Sequence, residues 1–162
     1  MTFRFDDPSH LSEHGFAGFF TVQELQETRC RSVPSEPGVY LVVRPGTTPP
    51  IFLRGSIGGH FKDRDPTVTT EKLIDKWVES TSVLYIGKAG SLRNRLKQYM
   101  DFGLGKPVGH HGGRYIWQLE HSTLLQLCWK ATPDQDPAFV ESHLIQNFNQ
   151  QHGRLPFANL RF

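Results

Sequence analysis

The segment SVLYIGKAGSLRNRLKQY, which runs from residue 82 to residue 99, concentrates side chains that could bind a phosphate group. Tyr85 and Lys88 lie on a predicted strand and glycine turn, and Arg95 and Tyr99 follow on a predicted basic helix. On a helical wheel Arg95 lies beside Tyr99 at the edge of the apolar face, whereas the other basic residues of the helix point elsewhere. We therefore expect Arg95 to be held against the body of the protein, on a surface built for an anionic ligand.

The positive charge of the chain is concentrated in and just after this segment. Between residues 88 and 114 six Lys or Arg accompany a single acid, Asp101, a net charge of +5, and because the whole chain carries +2 the remainder carries −3. A basic stretch on a mildly acidic body is typical of proteins that bind a phosphate backbone, although a solvated helix face gives the same pattern. The predicted nucleic-acid-binding residues are Arg93, Lys97, Lys106, His110, His111 and Arg114.

Two adjacent histidines in this region, His110 and His111, lie in the predicted loop GLGKPVGHHGG. Adjacent histidines do not easily face one ion, and no Cys or carboxylate accompanies them, which argues against zinc. We expect this loop to face the substrate, where one of the two rings assists in deprotonating a tyrosine or contacts phosphate.

A carboxylate in an apolar stripe is the second chemical signal. Along the predicted helix 137–150, which Asp136 and Pro137 open as N-cap and first residue, Glu141 lies in the middle of a stripe of Val, Leu, Ile and Phe. An unpaired carboxylate in apolar surroundings costs on the order of several kcal/mol, so it should have a partner. Either a buried Glu–Arg pair or a metal ion bound in a cleft satisfies this requirement.

The elements that must position these residues predict a mixed α+β fold. We expect a small central, mainly antiparallel three-stranded sheet flanked by helices, in a single domain with a core at about 35–162, an N-terminal helical extension at about 1–34 and an insertion at about 45–81. The predicted strands are 38–44, 82–87 and 122–132, and the predicted helices are 21–29, 71–79, 91–102, 114–120 and 137–150.

Composition favours a globular protein of the cytoplasm. The chain has 162 residues, 37% of them hydrophobic and 21% charged, and its longest apolar runs are a few residues, so no membrane span is expected. The start MTFRFDDPSH does not resemble a secretory signal. Cys30 and Cys128 lack metal-site spacing and are predicted to be buried thiols.

Four short motifs in order carry a resemblance to a known family. PGVY at 37–40, LYIGKAGSLRNRL at 84–96, VESHLI at 140–145 and FANL at 157–160 together resemble the GIY-YIG nuclease superfamily. The nearest branch is similar to the N-terminal nuclease domain of the bacterial excision-repair incision protein. The resemblance covers most of the chain and implies a metal-dependent DNA endonuclease. The site residues it implies are Tyr40, Tyr85, Gly87, Lys88, Arg95, Tyr99, Glu141 and Asn159.

The resemblance also implies a separate catalytic role for each of three residues. Glu141 would bind one Mg²⁺ or Mn²⁺, Arg95 would hold a non-bridging phosphate oxygen, and Tyr40 would act as general base on water. A free phenol has a pKa of about 10, so a cation must tune Tyr40, with Lys88 and the metal as candidates. Direct attack by the Tyr40 oxygen is an alternative.

The remaining implied residues have auxiliary or structural roles. Tyr85 would orient the water or Tyr40, and Asn159 would tie elements of the site together. Ordinary cross-strand packing of the two tyrosines, a strand-to-helix turn at Gly87 and a turn at Asn159 are the structural alternatives.

The chain departs from the family pattern between its tyrosine motifs. The family usually joins these strands by a short hairpin, whereas here residues 41–84 separate Tyr40 from Tyr85. This insertion could form a recognition element or a cover that restricts substrates. A non-cleaving nucleic-acid binding or accessory module is therefore the alternative function, and specificity would come from the insertion, a homodimer or a partner protein. Repair, restriction and mobile-element roles are not separated.

Overall fold

The computed structural model describes residues 3–110 and 112–161. None of the helices in these ranges combines the length and apolar character needed to cross a membrane. In chain order the elements are α1 Pro8–Glu13, β1 Ala17–Thr21, α2 Val22–Thr28, β2 Gly38–Val43, α3 Thr70–Lys76, β3 Val83–Ala89, α4 Leu92–Gly103, β4 Gln126–Ala131 and α5 Pro137–His152, with short 3₁₀ helices at Arg114–Gln118 and Ser122–Leu124.

The sheet has four antiparallel strands in the order β1-β4-β2-β3. The α+β prediction is confirmed, but the prediction of three strands is wrong because β1 adds an edge strand beside β4. This strand is only five residues long and mostly half-buried. Its register shifts between Gly18 and Phe20, and Phe19 has a φ of 60°. Such a bulged edge strand lacks the alternating pattern that identifies strands in sequence. The N-terminal extension is consequently not only helical.

The central strand β2 is buried along its whole length because helices cover both faces of the sheet. Tyr40 and Val42 belong to the hydrophobic cluster that includes residues of α2 and α4. Val39, Leu41 and Val43 belong to the cluster that includes residues of α1 and α5. Since β3 is the edge strand next to β2, side chains from both layers can meet around it.

Helix ends follow the capping signals in the sequence. Asp136 caps α5 by accepting a hydrogen bond from the backbone N–H of Ala138, Pro137 is the first helical residue, and Gly153 ends the helix at a φ of 71°. Ser91 caps α4 by accepting from the N–H of Asn94. The predicted start of α5 at Asp136 and Pro137 is therefore confirmed.

The insertion 45–81 folds against the 3₁₀ helix Arg114–Gln118. The side-chain amide of Gln118 donates to the carbonyls of Leu53 and Val68 and accepts from the N–H of Val68. Trp77, in the same insertion, packs against Phe157 near the C-terminus, with 5.1 Å between the ring centroids. The insertion is thus anchored to the segments that follow α4 and α5.

Both cysteines are free and buried, as predicted. Burial raises the pKa of the Cys30 thiol to about 11 and also raises the pKa of Cys128. Thiols that are buried and protonated in this way are poor nucleophiles.

Candidate active site

A cavity of about 900 Å³ lies beside β3 and brings together side chains from distant parts of the chain. Strand β2 supplies a phenol, β3 a phenol and an ammonium group, α4 a guanidinium, α5 a carboxylate and the C-terminal segment an amide. The predicted site residues that line this cavity are Tyr40, Tyr85, Lys88, Arg95, Glu141 and Asn159.

The phenol of Tyr40 lies against Gly87, its directly opposed partner on β3. A Cβ added at Gly87 would stand 2.4 Å from Tyr40 Cζ and 2.6 Å from its Oη. Gly87 lies within β3 and is not among the glycines with positive φ. The structural alternative, in which Gly87 only permits a strand-to-helix turn, is therefore wrong. It is needed because no other residue lets the ring approach the backbone this closely.

Three tyrosines form a buried cluster behind and along the cavity wall. The ring centroids of Tyr40 lie 6.0 Å from Tyr85 and 6.2 Å from Tyr99, and those of Tyr85 and Tyr99 are 5.8 Å apart. Burial holds the pKa of Tyr40 and Tyr99 well above the ordinary value and raises that of Tyr85. Predicted as a site residue, Tyr99 is fully buried, and it packs within the cluster without lining the cavity.

Arg95 is the cation that opposes the effect of burial on the Tyr40 pKa. After burial and the neighbouring phenol of Tyr85, its guanidinium is the next influence on the Tyr40 pKa, and it lowers that pKa. Arg95 is half-buried on α4 and also donates to Gln98 Oε1 at 3.1 Å. The sequence analysis gave Lys88 and a metal ion as the candidates for tuning Tyr40, whereas the structure places Lys88 where it lowers the Glu141 pKa.

Glu141 is half-buried on α5 and lies on the same helix face as Leu144, Ile145 and Phe148, which are its i+3, i+4 and i+7 neighbours. It therefore lies within the apolar stripe as predicted, and it lines the cavity together with Ile145. Burial raises the Glu141 pKa, and the ammonium of Lys88 lowers it. In residues 3–110 and 112–161 no Arg lies within ion-pair distance of Glu141, so the buried Glu–Arg pair is not formed.

Asn159 closes the exposed edge of β3. Its Oδ1 accepts from the N–H of Ile86 and its Nδ2 donates to the C=O of Ile86, both at 2.9 Å. The side-chain amide thereby takes the place of a neighbouring strand at a buried position. Lys76 donates to the Asn159 backbone carbonyl at 2.9 Å, which links α3 to the same segment.

His110 packs against two members of the tyrosine cluster, Tyr40 and Tyr99. Its Nε2 is 3.3 Å from Tyr40 Oη, and its ring stacks on Tyr99 with 4.0 Å between centroids and 4° between planes. Tyr99 Oη donates to the carbonyl of Gly113 at 2.6 Å. His110 is fully buried, so it is placed beside the predicted base and away from the surface where we expected it to meet nucleic acid. His111 lies outside the described residues.

The other predicted nucleic-acid-binding residues divide among three places. Arg114 lines the cavity. Arg93 donates to the backbone carbonyls of Val33 and Arg31, so it anchors the segment before β2. The remaining two, Lys97 and Lys106, line a separate cleft beside Cys30, where Lys106 Nζ is 3.3 Å from Asp101 Oδ1.

Arg161 and Gly112 are among the cavity-lining residues that sequence reasoning missed. Arg161 adds a further guanidinium to the cavity wall. Gly112 brings the backbone so close to Tyr85 that an added Cβ would stand 2.9 Å from its hydroxyl oxygen. Arg161 follows two positions after Asn159, so its proximity in sequence could have identified it, whereas Gly112 carries no such signal.

The donor set around Glu141 is compatible with a single hard divalent cation. Among residues 3–110 and 112–161, no three His, Cys, Asp or Glu side chains cluster as a protein-only metal cage. Mg²⁺ is commonly bound by one or two carboxylates with waters and substrate phosphates, so one cavity-facing carboxylate suffices. No protein-family model, curated protein or solved structure matches this chain. Function therefore has to be inferred from the geometry of the site.

Proposed function

We propose that this protein is a metal-dependent endonuclease that hydrolyses phosphodiester bonds in DNA. The observation that carries the proposal is the convergence of Tyr40, Arg95 and Glu141, from three separate elements, on one cavity of about 900 Å³. Phosphodiester hydrolysis needs a base for water, positive charge for the phosphoryl oxygens and stabilisation of the leaving oxygen. The cavity wall offers a residue for each requirement.

Glu141 would hold one Mg²⁺ or Mn²⁺ in this site. When bound, such an ion would polarise the phosphate and stabilise the departing 3′ oxygen. The burial that raises the Glu141 pKa leaves its carboxylate short of favourable partners, which supports a cationic ligand there. The ammonium of Lys88 offsets part of this deficit, because it lowers the Glu141 pKa.

Arg95 would hold a non-bridging oxygen while negative charge grows on the phosphate. Its guanidinium faces the cavity from α4 and also lowers the Tyr40 pKa. The same guanidinium would therefore stabilise the negative charge on the phosphate and make Tyr40 a more accessible base. Removal of one such donor typically costs about 10²–10³ in rate.

Tyr40 would take the proton from the attacking water. The main obstacle is its environment, since the phenol is 1% exposed and burial holds its pKa high. This burial is the observation that favours the second candidate, a nucleic-acid binding module that does not cut. A phenol that never releases its proton cannot serve as a base.

Plasmid nicking separates the two candidates. Supercoiled DNA is incubated with Mg²⁺ or Mn²⁺ and wild-type protein, Arg95→Ala, Glu141→Gln or Lys97→Ala. Lys97 is the matched control because it is a basic residue of the same helix that faces a different cleft. We expect cleavage by wild type and Lys97→Ala, and losses of about 10²–10³ for the other two. If wild type shifts DNA on a gel and leaves it intact in both metals, the binding module is the correct function.

A further inference from the structure

We infer that His110 accepts the proton of the Tyr40 phenol, and that the insertion 45–81 holds His110 in place for this step. The inference rests on the proposed function for its reaction step. The contact that carries it is the 3.3 Å separation between His110 Nε2 and Tyr40 Oη inside the protein. A buried phenol needs an adjacent acceptor if it is to lose its proton, and imidazole is the side chain best suited to this at neutral pH.

The imidazole is held in one orientation by its neighbours. Its ring lies flat on Tyr99, at 4.0 Å between centroids and 4° between planes. Tyr99 is itself held by the 2.6 Å hydrogen bond to the Gly113 carbonyl. A Cβ at Gly113 would stand 2.4 Å from Tyr99 Oη, so the backbone lies directly on the phenol. These contacts aim Nε2 at Tyr40 and leave little room for rotation.

The insertion contacts the end of α4 and the segment that follows it, residues 102–110, at two points. At the first, the N–H of Gly59 donates to the carbonyl of Phe102 at 2.9 Å, and a Cβ at Gly59 would stand 1.8 Å from the carbonyl oxygen of Lys106. At the second, an added Cβ at Gly109 would lie 3.3 Å from the ring of Phe61. The insertion therefore contacts the segment that carries His110 both at Lys106 and at Gly109.

The proton transfer from Tyr40 to His110 and the hydrolysis that follows need no reactant other than water. The phenol proton moves from Tyr40 Oη to His110 Nε2, which produces a phenolate and an imidazolium. The phenolate then takes a proton from water, and the hydroxide forms a bond to phosphorus as the bond from phosphorus to the 3′ oxygen breaks. The 3′ oxygen takes a proton from solvent and the imidazolium returns one to solvent. Among the described residues, Tyr85 and Arg95 act on the Tyr40 pKa, and Tyr99 stacks on His110.

Nitrogen NMR of the imidazole tests the hydrogen bond without any cleavage assay. Wild-type protein labelled at the histidine ring nitrogens is compared with Tyr40→Phe and with Tyr115→Phe, a buried phenol outside the pair. We expect the His110 Nε2 resonance to shift in Tyr40→Phe because the phenol proton is removed, and to stay in place in Tyr115→Phe. An unchanged His110 resonance in a folded Tyr40→Phe protein overturns the inference.

Plasmid cleavage tests the proton transfer. We expect His110→Gln and His110→Gly to lose about 10²-fold or more in rate, and added imidazole to restore part of the His110→Gly rate. The restored rate should rise with pH as free imidazole loses its proton, and imidazole should not rescue Glu141→Gln. Wild-type rate and pH profile in His110→Gln would overturn the inference while leaving the proposed function intact. A wild type that never cleaves overturns the proposed function and the transfer step, while NMR still decides the hydrogen bond.

Substitutions at two glycines of the insertion test whether the insertion positions the segment that carries His110. Gly59→Ala places a methyl group against the Lys106 carbonyl, whereas an added Cβ at Gly55 meets nothing within 4 Å. We expect Gly59→Ala to shift the His110 resonance and to slow cleavage, and Gly55→Ala to do neither. Phe61→Ala, which removes the second contact without adding a clash, should act in the same direction as Gly59→Ala. If both variants fold and leave the His110 resonance unchanged, the insertion does not position His110.

Discussion

Gly87→Ala should displace the phenol of Tyr40 without changing any polar group. The added methyl carbon would lie 2.4 Å from Tyr40 Cζ, 2.6 Å from Oη and 2.8 Å from Cε1. Carbon atoms pack at about 3.5–4.0 Å, so the ring must move by roughly 1 Å. The hydroxyl then leaves its position beside Arg95 and His110.

The expected cost has two parts. Overpacking of a core position destabilises a protein by about 1–3 kcal/mol. A displacement of about 1 Å in a reacting group can lower the rate by about 10²-fold. Binding to DNA should change little, since the cationic side chains of the cavity remain. Gly87→Ala is therefore expected to be a folded protein that binds DNA and cleaves it poorly.

The assay is single-turnover plasmid cleavage, with urea unfolding and a gel shift on the same preparations. Gly90→Ala is the matched control, because Gly90 lies just after β3 and a Cβ there meets nothing within 4 Å. The reasoning is refuted if Gly87→Ala cleaves DNA as fast as Gly90→Ala and unfolds at the same urea concentration. In that case the contact with Tyr40 has no role in holding the phenol.

Three further variants probe separate parts of the site. Asn159→Ala should lower the free energy of unfolding by about 2–4 kcal/mol in urea titrations, because it leaves a buried N–H and C=O of Ile86 unpaired. Arg93→Ala should lower stability by about 1 kcal/mol, since its hydrogen bonds are to backbone carbonyls. It should leave the cleavage rate per folded molecule unchanged, whereas Arg95→Ala should abolish most cleavage and retain stability. Because burial raises the folded-state pKa of Glu141, the fold disfavours its ionised form at pH values above that pKa. Glu141→Gln should therefore stabilise the protein at neutral pH, with a gain that disappears on acidification below the ordinary pKa of a Glu, as measured by thermal unfolding across pH.

Several features of the site were predictable because they depend on local periodicity. The helical wheel placed Arg95 against the body of the protein, and the structure finds it half-buried on the cavity wall. The same argument picked out Glu141 as a carboxylate that needs a partner. Predicted strands at 38–44 and 82–87 overlap β2 and β3, since β-branched and apolar runs of this kind are buried strands. In each case the side chains and their spacing determine which face of an element a residue presents.

Contacts across the fold were not predictable in this way. Arg93 and Arg95 are indistinguishable as residue types, yet one anchors a backbone segment and the other faces the cavity. In the sequence Gly87 has the appearance of a turn glycine. Only the pairing of β2 with β3 shows that the ring of Tyr40 packs against its Cα. The bulged strand β1 gains its regularity only from pairing with β4.

By itself the amino-acid sequence determined an α+β domain, the ends of its main helices and the residue types that could act on a phosphate. The tertiary structure alone decided that His110 lies within hydrogen-bond distance of Tyr40, that the insertion contacts the segment that carries His110, and that Asn159 closes the edge of β3. Local patterns report the conformation and exposed face of one element, because they arise from interactions between near neighbours in the chain. Which loop lies across from that face depends on how distant segments pack, and no local preference encodes it.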